Sequence, residues 1–111
     1  MAYRKVGKAF VRLWYNKFAR DYFHEDDLPD FDSLDFEFVV VPGDCASVQW
    51  DENGIPSLSI DPVFRSYPYL LRSVILHELG HLKLGPRVGH GKKFYAEMLR
   101  VCLMGGIRVL V

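Results

Sequence analysis

Apolar positions open the chain at three- and four-residue spacings: Phe10, Val11, Trp14, Tyr15, Phe18 and Tyr22 share one face of an amphipathic helix predicted from Tyr3 to Tyr22. The periodicity stops in an acidic stretch containing Pro29, which reads as a solvated connection. From Phe36 to Val41 a run of β-formers predicts a short strand, closed by the turn signal Pro42-Gly43. A second strand is expected to start at Val48 to Trp50. Asp51-Glu52-Asn53-Gly54 then carries an Asn-Gly turn signal, and apolar character resumes at Ile55, Leu58 and Ile60 before Pro62 interrupts it. This order predicts antiparallel pairing. Pro68 to Leu84 predicts a longer helix, with Ser66 as a capping candidate and Gly85-Pro86 as a stop. Phe94 to Leu103 predicts a further helix ended by Gly105-Gly106. The tail Ile107, Val109, Leu110 and Val111 can then add a strand or cover the core.

These elements occupy 111 residues, 50% of them hydrophobic, which fits one domain over 1–111 and leaves too little chain for a second core. A domain of this size buries only about two-thirds of its extended-chain surface, so a functional site has to share helices and strands with the core. Charge is balanced at 14 basic against 14 acidic residues, giving no global attraction to nucleic acid or acidic lipid. The balance is uneven along the chain. Arg4, Lys5, Lys8, Arg12, Lys17 and Arg20 make the first helix basic, whereas Glu25, Asp26, Asp27, Asp30, Asp32, Asp35 and Glu37 make the next segment acidic, and the two are expected to pack near each other.

No segment approaches the roughly twenty apolar residues of a membrane span. The first residues also lack the apolar stretch of a secretory signal. Cys45 and Cys102 are too few for a disulfide framework and are read as reduced. A cytoplasmic or other intracellular setting is the expectation.

The strongest chemical signal is His77-Glu78-Leu79-Gly80-His81, inside the predicted helix. Side chains four residues apart on a helix emerge on one face, so the imidazoles of His77 and His81 can converge on one divalent ion, with zinc the expected metal. Glu78 projects beside the pair, where its carboxylate suits deprotonation of a water at the metal better than coordination. A hydrolytic zinc site commonly takes three protein ligands. His90 is the preferred third, because the turn-rich Gly85-Pro86-Arg87-Val88-Gly89 can reverse the chain and bring it back to His77 and His81. Glu97 is its rival, a carboxylate that could equally form a salt bridge or orient an imidazole.

His77-Glu78-Leu79-Gly80-His81 followed by His90-Gly91-Lys92-Lys93-Phe94 resembles the SprT-like zincin metallopeptidases. The resemblance implies zinc on His77, His81 and His90, with Glu78 as general base. It also implies a minimal α+β zincin-like domain, a short antiparallel or mixed sheet packed against an N-terminal helix and the motif-bearing helix. Its Pro56 to Pro62 segment looks like the strand before that helix. Endopeptidase action on extended or unfolded protein segments follows from the resemblance, and the edge of Leu58 to Ile60 is the expected docking line for such a substrate. The chain lacks the length and cysteines of an added zinc ribbon, so DNA-dependent proteolysis is not expected. A nucleic-acid or protein activator has no support in net charge.

The compact metzincin pattern fails, with Leu84 at its glycine place and Arg87 at its last histidine place. A peptide deformylase-like hydrolase, with Cys45 as an upstream thiolate ligand, is a minor alternative, since Pro42-Gly43-Asp44-Cys45 lacks that family's context. The non-enzymatic alternative is a metal-stabilised interaction or regulatory domain. Arg87, Lys92, Lys93 and Tyr95 are read as solvating the loop and the following helix start, outside catalysis.

Overall fold

The computed structural model describes residues 4–86 and 88–110, so the readings that fall on Tyr3, Arg87 and Val111 lie outside the described residues. Along the chain run α1 (Lys8–Tyr22), β1 (Asp35–Phe38), β2 (Ala46–Trp50), β3 (Pro56–Ile60), α2 (Pro68–Leu84), α3 (Lys92–Val101) and α4 (Ile107–Leu110). The result is an α+β arrangement in which a small mixed sheet packs against helices.

Helix α1 buries Val11, Tyr15 and Phe18, the apolar face that the spacing predicts. It starts later than the periodicity suggests. Val6 is held outside the helix by its N–H donating to the Arg65 carbonyl at 2.9 Å and its carbonyl accepting from Arg65 Nε at 2.9 Å, and Gly7 sits at the helix cap. The acidic connection is less solvated than its composition implies. Phe31 and Leu34 are buried, Phe31 packs 5.3 Å from the Tyr15 ring, and Arg12 pairs with Asp32, which ties the acidic segment to the basic helix.

The strand order is β1-β3-β2, with β2 antiparallel and β1 parallel to β3. The β2–β3 turn is stabilised by Asp51 Oδ1, which accepts from the Asn53 and Ile55 N–H groups at 2.8 and 2.9 Å. Phe36 lies opposite Leu58, which in turn faces Val48; Phe38 lies opposite Ile60, which faces Ala46. Period-two alternation therefore places one apolar row on the helix side, where all six join the core.

This topology corrects the docking expectation. β3 is the central strand, paired on both sides, so Leu58 to Ile60 offers no free edge. The physical reason is burial: Leu58 and Ile60 are 1% and 0% exposed, which suits the middle of a sheet covered by helices.

Helix α2 has the predicted bounds, from Pro68 to the Gly85 stop. Ser66 does not cap it. Ser66 ends a tight turn over Pro62–Ser66, and Tyr67 takes the cap position without a side-chain hydrogen bond, because Pro68 presets the first helical turn. α2 packs on α1, β2, α3 and α4, with Leu71, Ile75, Leu76 and Leu79 at 0% exposure. The third helix starts at Lys92, two residues before the prediction, and passes into a wide turn over Cys102–Gly106. Gly105 adopts φ 106° there, a conformation that side-chain-bearing residues rarely take, and the chain re-enters a helix as α4. The tail thus covers the core through Val109 and Leu110 and adds no strand among the described residues. No helix among these residues is long and apolar enough to cross a membrane.

Candidate metal centre

His77, Glu78 and His81 lie in the last turns of α2, and the Gly85 stop lets the following loop fold back so that His90 meets them. The three Nε2 atoms form a triangle with sides of 3.2 Å (His77 to His90), 3.3 Å (His77 to His81) and 3.0 Å (His81 to His90). Hydrogen bonding cannot account for all three sides. A neutral imidazole Nε2 either donates or accepts, so in a triangle at least one pair must oppose like roles. A cation resolves the conflict by taking a lone pair from each. At a zinc–nitrogen distance of about 2.0–2.1 Å, the edge of a tetrahedron is about 3.3 Å, close to the observed sides. The residues present therefore fit a tetrahedral metal with one position left over. Among the described residues this set is limited to the three histidines.

Phe94 forms the floor. It is 2% exposed and stacks on His81 at 4.3 Å with the rings 19° apart, while its centroid lies 4.7 Å from His77 and 5.0 Å from His90. Gly80 makes room for this packing, since a Cβ at that position would come 3.3 Å from the Phe94 ring and 2.4 Å from the Met98 methyl. Burial and the neighbouring His90 hold the His77 pKa below its ordinary value. The same two causes, joined by His77, push His81 down to about 4. Both rings are thus kept neutral, the form that binds metal.

Glu78 is 6% exposed and opens, with Asp44, Cys45, Ser73 and His77, onto a cavity of about 260 Å³. Its carboxylate makes no hydrogen bond to a described residue, and burial, with a smaller contribution from Asp44, raises its pKa to about 7. Glu97 is placed elsewhere. It accepts from Lys83 Nζ at 2.9 and 3.0 Å and from Arg100 Nε at 2.8 Å, a bridge between α2 and α3 that holds its pKa below the usual carboxylate value against the effect of burial. Of the two rivals for the third position, His90 is the one brought beside His77 and His81, while Glu97 lies in the ion pairs.

Cys45 is a free, exposed thiol outside the histidine cluster, and Cys102 is free as well. The thiolate-containing ligand set of the deformylase alternative is not formed. Lys92, Lys93 and Tyr95 are exposed at the start of α3. Asp44 is the site residue that sequence reasoning missed; it acts on His77, Glu78 and His81 by charge, yet in sequence it is one more acidic turn residue. A larger cleft of about 520 Å³ under α1, lined by Tyr15, Phe23 and Asp30, contains none of the clustered histidines. Comparison of the chain with protein-family models, with curated proteins and with solved structures gives no match.

Proposed function

We propose that this chain is a zinc-dependent endopeptidase of the SprT-like zincin kind, acting on extended or unfolded protein segments inside the cell. The observation that carries the proposal is the nitrogen triangle beside a buried, unpartnered carboxylate, His77, His81 and His90 next to Glu78. Zinc is the metal that three imidazoles with one remaining position suit best, and when bound it supplies Lewis-acid polarisation of a peptide carbonyl and acidification of water.

The protein's own residues do the rest. Glu78, a carboxylate beside the histidines that opens onto the cavity, would take a proton from the attacking water and return it to the leaving amine. Val74 and Leu110 supply the apolar part of the cavity wall. Substrate alignment falls to β2, whose outer side pairs with no other described strand and whose first residue follows Asp44 and Cys45 at the cavity. Cys45 and Asp51 bond inward to β3, so alternation turns the backbone groups of Val48 and Trp50 outward, ready for an extended peptide.

A second reading, a metal-stabilised interaction or regulatory domain, is favoured by the histidine cluster alone. A bound metal would tie α2 to the start of α3 through His90, which is a structural clamp without any chemistry. Cleavage separates the two. Zinc-matched wild type and a folded Glu78→Ala variant are incubated with an unfolded protein, and new termini are identified by mass spectrometry. The peptidase reading expects cleavage by wild type and a loss of about 100-fold or more in the variant. Equal cleavage by both rejects Glu78 as the base, and absence of cleavage with zinc-dependent stability moves the clamp reading ahead.

A further inference from the structure

The cavity at Glu78 does not end at the metal centre. Ser73 and Leu110, which line it, also line a neighbouring cavity of about 210 Å³ that contains Arg72 and Arg108. Both arginines also border a third cavity on the far side, next to Trp14 and Lys17. The cavity that holds Glu78 and the one that holds a pair of guanidinium groups thus share Ser73 and Leu110 as lining residues.

Arg72 is held but not satisfied. Its guanidinium carbon lies 4.2 Å from the Trp14 ring centroid and 5.7 Å from that of Tyr69, cation–π contacts that hold the side chain in place. Its Nε is buried and has no hydrogen-bond partner among the described residues. Neither Arg72 nor Arg108 forms an ion pair with a described residue. Asp21 is the carboxylate lining the third cavity, and it is engaged by Lys17 at 3.2 Å. A planar guanidinium fork without a carboxylate partner is matched to a carboxylate that enters the cavity it borders.

We infer that Arg72 and Arg108 form a substrate subsite for a carboxylate, either an acidic side chain or the free C-terminus of the peptide being cut. The inference rests on the peptidase reading for the identity of the ligand. Arg72 precedes His77 by five helical residues, about 7.5 Å of axial rise, which is the reach of about two extended residues. The captured carboxylate thus sits a few residues from the scissile bond. Arg72 and Arg108 are specificity-determining residues in this account and take no part in bond cleavage.

The test measures binding and cleavage separately. Octapeptides of one sequence are prepared with Gln and an amidated end, with Glu and an amidated end, and with Gln and a free C-terminal carboxylate. Their affinities for zinc-loaded Glu78→Ala chain are measured by calorimetry, with and without Arg108→Glu; a third background carries Arg72→Lys, which keeps the charge and loses the fork. At least one carboxylate peptide is expected to bind about tenfold tighter than the neutral one. Arg108→Glu, an exposed position that does not endanger folding, is expected to abolish the difference, and Arg72→Lys to reduce it.

A gain for the Glu peptide identifies a side-chain ligand; a gain for the free acid alone identifies the chain end. Equal affinity of all three peptides, or a preference that survives Arg108→Glu, overturns the subsite. Cleavage by Glu78-containing chain without a carboxylate preference overturns the subsite alone. Arg108-dependent binding with no cleavage of any peptide overturns the peptidase reading and leaves the carboxylate site standing.

Discussion

Glu78 shows how one residue can work against the fold that holds it. It is buried without a hydrogen-bonding partner for its carboxyl among the described residues, and its pKa rises from an ordinary 4.5 to about 7. The folded, metal-free chain therefore holds this proton more tightly than the unfolded chain. The resulting stability is fully present below about pH 4.5 and is lost as the pH rises through about 7, a loss of about 3 kcal/mol when complete. His81 has the opposite sign: with its pKa lowered to about 4, its contribution is present above pH 6.5 and is lost as the pH falls towards 4. Glu78→Gln removes only the first effect. In urea denaturation of the metal-free proteins, the variant's stability relative to wild type should be more favourable at pH 8 than at pH 4 by up to about 3 kcal/mol. An equal difference at both pH values would show that Glu78 is not held in a desolvated environment.

At the level of elements, the site depends on how closely α3 approaches α2, and Gly80 sets that distance. A branched side chain at this position meets both the Met98 methyl and the Phe94 ring. Met98 is the end of a flexible chain and can swing away, but Phe94 is clamped between three imidazoles. Gly80→Val should therefore destabilise the protein by about 1–3 kcal/mol and weaken metal binding together, as read by thermal melts with and without zinc. Unchanged zinc affinity in the folded variant would mean that Phe94 does not position the histidines.

The bounds of α2 were legible because Pro68 and Gly85 punctuate a clear helical pattern, and the four-residue spacing of His77 and His81 has only one geometric meaning on a helix. The strand order was not legible. A short turn announces the β2–β3 hairpin, but nothing local in Asp35–Phe38 says whether β1 joins β2 or the far side of β3; burial of Leu58 and Ile60 decides that, and burial is a property of the assembled core. For a similar reason the C-terminal tail stays open in sequence between a final strand and a cover for the core, and it takes the second role. Its apolar residues suit either period, and the choice of helix follows from the positive φ at Gly105 and the packing of Val109 and Leu110 on the core.

For the molecule as a whole, core and site are one structure: α2 carries the buried leucines and the clustered histidines on adjacent faces of the same helix, as a chain of 111 residues requires. Motif spacing in the sequence singles out His77, Glu78 and His81, and it leaves His90 and Glu97 as rivals, of which the structure brings His90 to the pair. It did not reach Asp44 or the Arg72–Arg108 pair. Those residues take their places only when the loop before β2, the α2 helix and α4 close around two adjacent cavities.

The central claim is that three imidazoles, and no carboxylate, hold one metal ion. The most direct measurement is zinc content per chain by elemental analysis of purified proteins whose folding is verified by circular dichroism, comparing wild type, His90→Ala and Glu97→Ala. The account predicts about one zinc in wild type and in Glu97→Ala, which loses an α2–α3 ion pair but no ligand, and a sharply lower content in His90→Ala. Zinc retained at native affinity in folded His90→Ala, together with its loss from folded Glu97→Ala, would contradict it.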